Sequence, residues 1–230
     1  MRDFSVSGRS AAVAANGMVA TSAPMATLAG LDVLRAGGNA MDAAIAAVAM
    51  QSVVEPQSTG IGGDCFVLYS KKGAPPVALN GSGRAPKAAT VEWYAERQIN
   101  QIATQTAHAV TVPGAVDAWC TLNQEHGTKP LAELLEPAAR AAEDGYRVTP
   151  RVAWDWDRNQ WKLQDPATAK VMLPGGKPPV VGDHRRLGVL REHQARVDAG
   201  IVGQERRQPR RARRVEHPVR ASFGDRGHIG

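Results

Sequence analysis

The stretch VVEPQSTGIGGDCF, residues 53–66, decides how this sequence is read. An apolar run ends at Pro56, then Gly60, Gly62 and Gly63 crowd a turn beside Asp64, and a second apolar run opens at Cys65. Glycine clusters mark backbone that bends sharply or is closely approached. A phosphate cradle fits poorly. A dinucleotide fingerprint would place its third glycine at position 65, which is cysteine, and would run strand, turn, helix; here the order is reversed. A P-loop would follow its last glycine with Lys-Ser or Lys-Thr, and neither is present. The residues alone therefore read as a tight helix-to-strand connection, with Asp64 bonding the backbone of the turn.

Upstream of that connection, AMDAAIAAVAMQSVV reads as a buried helix capped by Asn39 and stopped by Pro56. Its alanines have high helix propensity and little bulk, so another element can pack close. Before it, MVATSA (18–23) reads as a short strand, and Ser22 and Pro24 as the cap and first turn of a helix. That helix carries Leu28, Leu31, Val33 and Leu34 as an apolar stripe and ends at Gly37-Gly38.

Downstream, DCFVLYS and PPVALNG read as two strands joined through Lys71-Lys72-Gly73, a hairpin. APKAATVEWYAER reads as a loop entering a helix, and AHAVTVPGAVDAW as a strand, a Pro113-Gly114 turn and the start of a helix. Leu131, Leu134, Leu135 and Ala138 mark an amphipathic helix interrupted by Pro137 and closed at Gly145. Trp154, Trp156 and Trp161 fall on a more polar, partly exposed helix. The pattern is mixed α and β without internal repeats.

Composition narrows the class. A chain of 230 residues is long enough for one or two cored domains. No apolar run is long enough to span a membrane, and the N-terminus has no apolar signal core. With two cysteines, Cys65 and Cys120, a disulfide framework is not expected. These features predict a cytoplasmic protein, or a periplasmic one if the natural start lies upstream. The net charge of +6 is unevenly distributed. Residues 1–183 hold 16 Lys and Arg against 17 acids, whereas residues 184–230 hold 12 Arg, no Lys and 5 acids. Two segments follow, 1–183 and an Arg-rich tail, 184–230.

The stretches VLRAGGNAMDAAIAA and VVEPQSTGIGGDCF, followed in order by TVPGAVDAW and LLEPAARAAEDGYRVT, resemble the N-terminal region of the gamma-glutamyltransferase (gamma-glutamyltranspeptidase) family. The resemblance covers about residues 12–183. It implies an α+β fold, the large-subunit portion of an N-terminal-nucleophile hydrolase αββα sandwich, in which the glycine stretch is framework. It also implies a precursor that cleaves itself and an N-terminal threonine that attacks gamma-glutamyl amides such as glutathione. That threonine belongs to a Thr-Thr-His-type setting, and this sequence contains no Thr-Thr pair. The resemblance thus implies no catalytic residue here, a missing small subunit, no metal or organic cofactor, and no activity for this chain alone.

One substrate contact is expected from this part of the family: an arginine in an Arg-Glu-x-Ala-Pro pattern that grips the glutamyl carboxylate. The corresponding stretch is NGSGRAP, where Ser82 holds the arginine's place and Arg84 sits two positions later. Arg84 is left open between ligand and scaffold. The departure points to a relative with a non-glutathione amide substrate, of oxamate or acylase type. Other candidates have structural readings: a buried thiol for Cys65, ordinary roles for His108 and His126, and turn or helix-end bonding for Asp64 and Glu55. The tail, with RRQPRRARR at its centre, reads either as a basic arm or as the product of a shifted reading frame in GC-rich DNA, and as disordered in both cases. A binding module for nucleic acid is the less favoured reading.

Overall fold

Asn39 fixes the centre of the fold. In the computed structural model, which describes residues 10–104 and 106–186, its side chain accepts from the amides of Met41 (2.8 Å) and Asp42 (3.0 Å). Asp42 returns the bond by accepting from the Asn39 amide at 2.9 Å, completing a capping box. The helix so started, α2 (Ala40–Val54), has ten of its fifteen residues buried and no polar face. Pro56 cannot continue it, and Glu55 is its C-cap.

Three helices pack on α2: α1 (Pro24–Arg35), α4 (Ala115–His126) and α5 (Leu131–Asp144). Between α2 and α4 lie the hairpin of β1 (Phe66–Tyr69) and β2 (Val77–Asn80) and a short helix, α3 (Val91–Glu96). After α5 come β3 (Tyr146–Arg147), α6 (Pro150–Asn159), α7 (Pro166–Met172) and β4 (His184–Arg185). Single 3₁₀ turns occupy Ala107–Ala109, Gln160–Lys162 and Pro174–Gly176. Each sheet is a two-stranded antiparallel pair, with Phe66 opposite Asn80 and Tyr146 opposite Arg185. The described chain is α+β, and its ordered pairing extends through Arg185. The readings made for the rest of the Arg-rich tail lie outside the described residues.

Several expectations change. Residues 18–23 form no strand, because no described strand lies beside them to complete a ladder. Ser22 is not the cap of α1: Ala23 is the N-cap, with Pro24 in the first turn, and the Ser22 hydroxyl donates instead to the Glu55 carboxylate. Of the large residues in the predicted stripe of α1, Val33 packs partly buried against the core, but none is fully buried. Ala26, Ala29 and Gly30 are buried while Leu28 is 52% exposed, since only small side chains let α1 approach α2. Residues 110–112 are extended but unladdered.

Pro137 does not interrupt α5, which runs unbroken to Gly145. Pro137 is on the exposed side, where water can solvate the carbonyl that loses its partner. Trp156 is 1% exposed, because Val152, Ala153 and Trp156 form one inward face of α6; only Trp154 and Trp161 are at the surface.

Candidate functional site

The three loops that carry the most distinctive spelling converge. Gly63, Ser82–Arg84 and Thr111–Ala115 meet at the N-terminus of α4. The amides of Gly114 and Ala115 donate to the Gly63 carbonyl at 3.0 and 2.9 Å. That carbonyl therefore satisfies two donors that a helix start leaves without intrahelical partners. Asp64 accepts from the Gly83 amide at 3.0 Å, so it bonds a loop nineteen residues away rather than the backbone of its own turn, which the sequence reading expected. The Thr111 hydroxyl lies 3.5 Å from the same carboxylate oxygen.

This seam fixes the backbone around the two candidate substrate residues. The Ser82 amide donates to Asn80 Oδ1 at 2.9 Å, and the Arg84 carbonyl accepts from the Val112 amide at 3.0 Å. Both side chains are exposed, and Arg84 makes no ion pair among the described residues. Ser82 and Arg84 therefore sit on one short pinned segment leaving β2, their side chains turned to solvent. Glycine is obligatory beside them: a Cβ at Gly83 would overlap the Val112 carbonyl, and one at Gly114 would overlap that of Gly81. The pinning by Thr111 and Val112 could not be read from the sequence, because it depends on a contact across nearly thirty residues.

The remaining candidates have local roles. Glu55 is buried and accepts from Gln51 Nε2 at 2.9 Å as well as from Ser22. Cys65 is half-buried, and burial raises its thiol pKa, as it does for Cys120; neither is a poised nucleophile. His108 packs at a tilt against Trp93 and edge-on against Tyr94, and His126 lies tilted against Tyr69. No group of three metal-ligating side chains occurs among the described residues. No helix there is long and apolar enough to cross a membrane.

Residues 26–190 match the family model for gamma-glutamyltranspeptidase. The chain belongs to the gamma-glutamyltranspeptidase family. Among curated relatives, the acylase ACY 1 proenzyme of Pseudomonas sp. (strain SE83) is 40% identical over 173 residues, covering 70% of this chain and 31% of that protein. The glutathione hydrolase proenzyme of Bacillus subtilis (strain 168) is 34% identical over 176 residues, covering 74% and 30%. The cephalosporin acylase of Bacillus halodurans superposes with a TM-score of 0.76 at 41% identity, over 86% of this chain and 38% of that one. The gamma-glutamyltranspeptidase fold is thus present in part, as the N-terminal portion of the N-terminal-nucleophile hydrolase architecture. The chain spans less than a third of either proenzyme.

Proposed function

We propose that this chain is the large-subunit portion of a gamma-glutamyltransferase-like enzyme that cleaves or transfers an acyl group from an amide. The supporting observation is the pinned Ser82–Arg84 segment, held exposed beside the family's glycine loop by Asp64 and Val112. In this reading the chain supplies a substrate-facing wall. The nucleophile is an N-terminal threonine of a small subunit, whose own α-amine serves as the base for its hydroxyl. The isolated chain is then inactive. Purified protein incubated with a gamma-glutamyl anilide should release no aniline, and turnover would refute the assignment of the nucleophile to another segment.

A second reading concerns the substrate. Ser82 stands where the family arginine is expected, and the acylase relative shares 40% identity. Both favour an amide whose acyl group lacks the glutamyl α-carboxylate pattern. A chimera decides between them, with residues 12–183 replacing the matching part of the Bacillus subtilis glutathione hydrolase proenzyme. The acylase-type reading expects little gamma-glutamyl anilide turnover and a gain of about tenfold in kcat/KM on Ser82→Arg, one charge-assisted contact being worth roughly 1.4 kcal/mol or more. High gamma-glutamyl turnover without that substitution would return glutathione-type amides to first place.

A further inference from the structure

The ladder of the β1–β2 hairpin continues one pair beyond its strands. Phe66 stands opposite Asn80, and the next pair outward, Cys65 and Gly81, exchanges both backbone bonds: the Gly81 amide donates to Cys65 at 2.8 Å and the Cys65 amide to Gly81 at 3.4 Å. In an antiparallel ladder such exchanging pairs alternate with pairs that exchange none. Carried on in this register, the next exchanging pair is Gly63 and Gly83, with the Gly63 carbonyl as acceptor for the Gly83 amide. That carbonyl is diverted. It accepts instead from the amides of Gly114 and Ala115 at the start of α4.

Asp64 takes its place. Its Oδ1 accepts from the Gly83 amide at 3.0 Å, so a side-chain oxygen replaces the diverted main-chain one. The replacement has two consequences. A hydrogen bond to a carboxylate is charge-assisted and roughly twice as strong as one to a neutral carbonyl. The hold on the segment also passes to a single side chain, which a substitution can remove.

What Asp64 holds is the peptide between the two candidate substrate residues. The Gly83 N–H belongs to the unit that joins Ser82 to Gly83, and the Arg84 side chain leaves the backbone one residue later. The Ser82 amide bonds only within its own turn, to Asn80, while Val112 grips the segment beyond, at the Arg84 carbonyl. Among the described residues no other side chain bonds the peptide between Ser82 and Gly83. Asp64 is exposed and forms no ion pair there, so no cation competes for its carboxylate. The Thr111 hydroxyl, 3.5 Å from the same oxygen, brings in the third loop of the seam.

We propose that Asp64 is a positioning residue of this site: standing in for the Gly63 carbonyl, it sets the direction in which the side chains at 82 and 84 meet an acyl group, and so how tightly that group is held. The inference rests on the acyl-amide reading above. Amide hydrogen exchange in the full chain, followed by NMR, tests the hold itself. Gly83 should be protected in the wild type, and Asp64→Ala should speed its exchange about tenfold or more while leaving Ile45 in α2 unchanged. Asp64→Asn, which keeps an accepting oxygen, should restore most of the protection. Should Asp64→Ala unfold, Asp64→Ser takes its place, its oxygen one bond short of the Gly83 amide. Kinetics test the consequence, in the chimera described above carrying Ser82→Arg. There Asp64→Ala should raise KM for the gamma-glutamyl anilide about tenfold with kcat changed less than about twofold, and Asp64→Asn should recover most of the loss. An unprotected Gly83 in the wild type overturns the proposal, as does exchange indifferent to Asp64→Ala. So does an unchanged KM in an active chimera, or an Asp64→Asn variant no better than Asp64→Ala. A parent chimera without activity counts against the acyl-amide reading alone, and the exchange result then decides the role of Asp64.

Discussion

Gly83 and Gly62 lack the same side chain for different reasons. A Cβ at Gly83 would overlap the Val112 carbonyl, whereas one at Gly62 meets nothing within 4 Å, and Gly62 has no positive φ. Gly83→Ala should therefore destabilise the chain by about 3 kcal/mol or more, since backbone on both sides must move. Gly62→Ala should be neutral, or stabilising by roughly 0.5 kcal/mol through the unfolded state. Urea midpoints of the two variants test the contrast, and equal losses would show that the loop is crowded after all. Asp42 presents a different residue-scale case. It is fully buried, and burial alone would raise its pKa. The Thr128 hydroxyl and the amides of Asn39, Thr128 and Lys129 outweigh that and lower it. A folded pKa below the ordinary value of 3.8 means the carboxylate stabilises the fold above that pH and ceases to do so as pH falls through its folded value. Asp42→Asn should cost about 2–3 kcal/mol at neutral pH, with the gap to wild type narrowing on acidification below about pH 4. A gap that stays constant from neutral to strongly acidic pH would contradict this account.

Elements were legible where a local signal fixed them. Asn39, the alanine run and Pro56 define α2; Lys71-Lys72-Gly73 between two apolar runs defines the hairpin, with Gly73 at φ +79. Reading failed where a distant element decides the outcome. The leucines of α1 mark its apolar residues but not its buried ones. Burial follows how closely α2 approaches, and the residues that allow the approach are Ala26, Ala29 and Gly30. Residues 18–23 and 110–112 have strand composition, but a strand also requires a partner. Trp156 looked half-exposed in a polar sequence because its burial depends on the packing around α6. The candidate site was less legible than the fold. Nothing in the local chemistry of Ser82 and Arg84 distinguishes them; resemblance to the family singled them out, and the structure adds the pinning. The close packing of α1 on α2 carries its own prediction. Ala29→Leu should cost about 1–3 kcal/mol by overpacking that contact, while Leu28→Ala should cost less than about 0.5 kcal/mol. Chemical denaturation of both variants tests this, and the reverse order would mean that the leucine stripe is the packed face.

At the scale of the whole molecule, the hairpin is the element most in need of a neighbour. Val67, Tyr69 and Leu79 lie against the core, but Phe66 and Leu68 point the other way and are 67% and 78% exposed. Val110 and Val112, at 63% and 58%, add to the exposed apolar surface near the Ser82–Arg84 segment. Apolar surface of this kind is expected where further chain or a partner packs, and it is an association hazard in a chain that stands alone. In the reading proposed above, the small subunit covers it. Phe66→Lys/Leu68→Lys should therefore leave the helical circular dichroism of the isolated chain intact, because neither side chain is in the core, and should reduce its self-association in sedimentation velocity. The same pair placed in the chimeric proenzyme should lower the yield of active enzyme, since two lysines would then be forced into a dry interface. Retention of full activity in that chimera, with the charges in place, would mean that the outer face of the hairpin is a true surface and that the small subunit docks elsewhere.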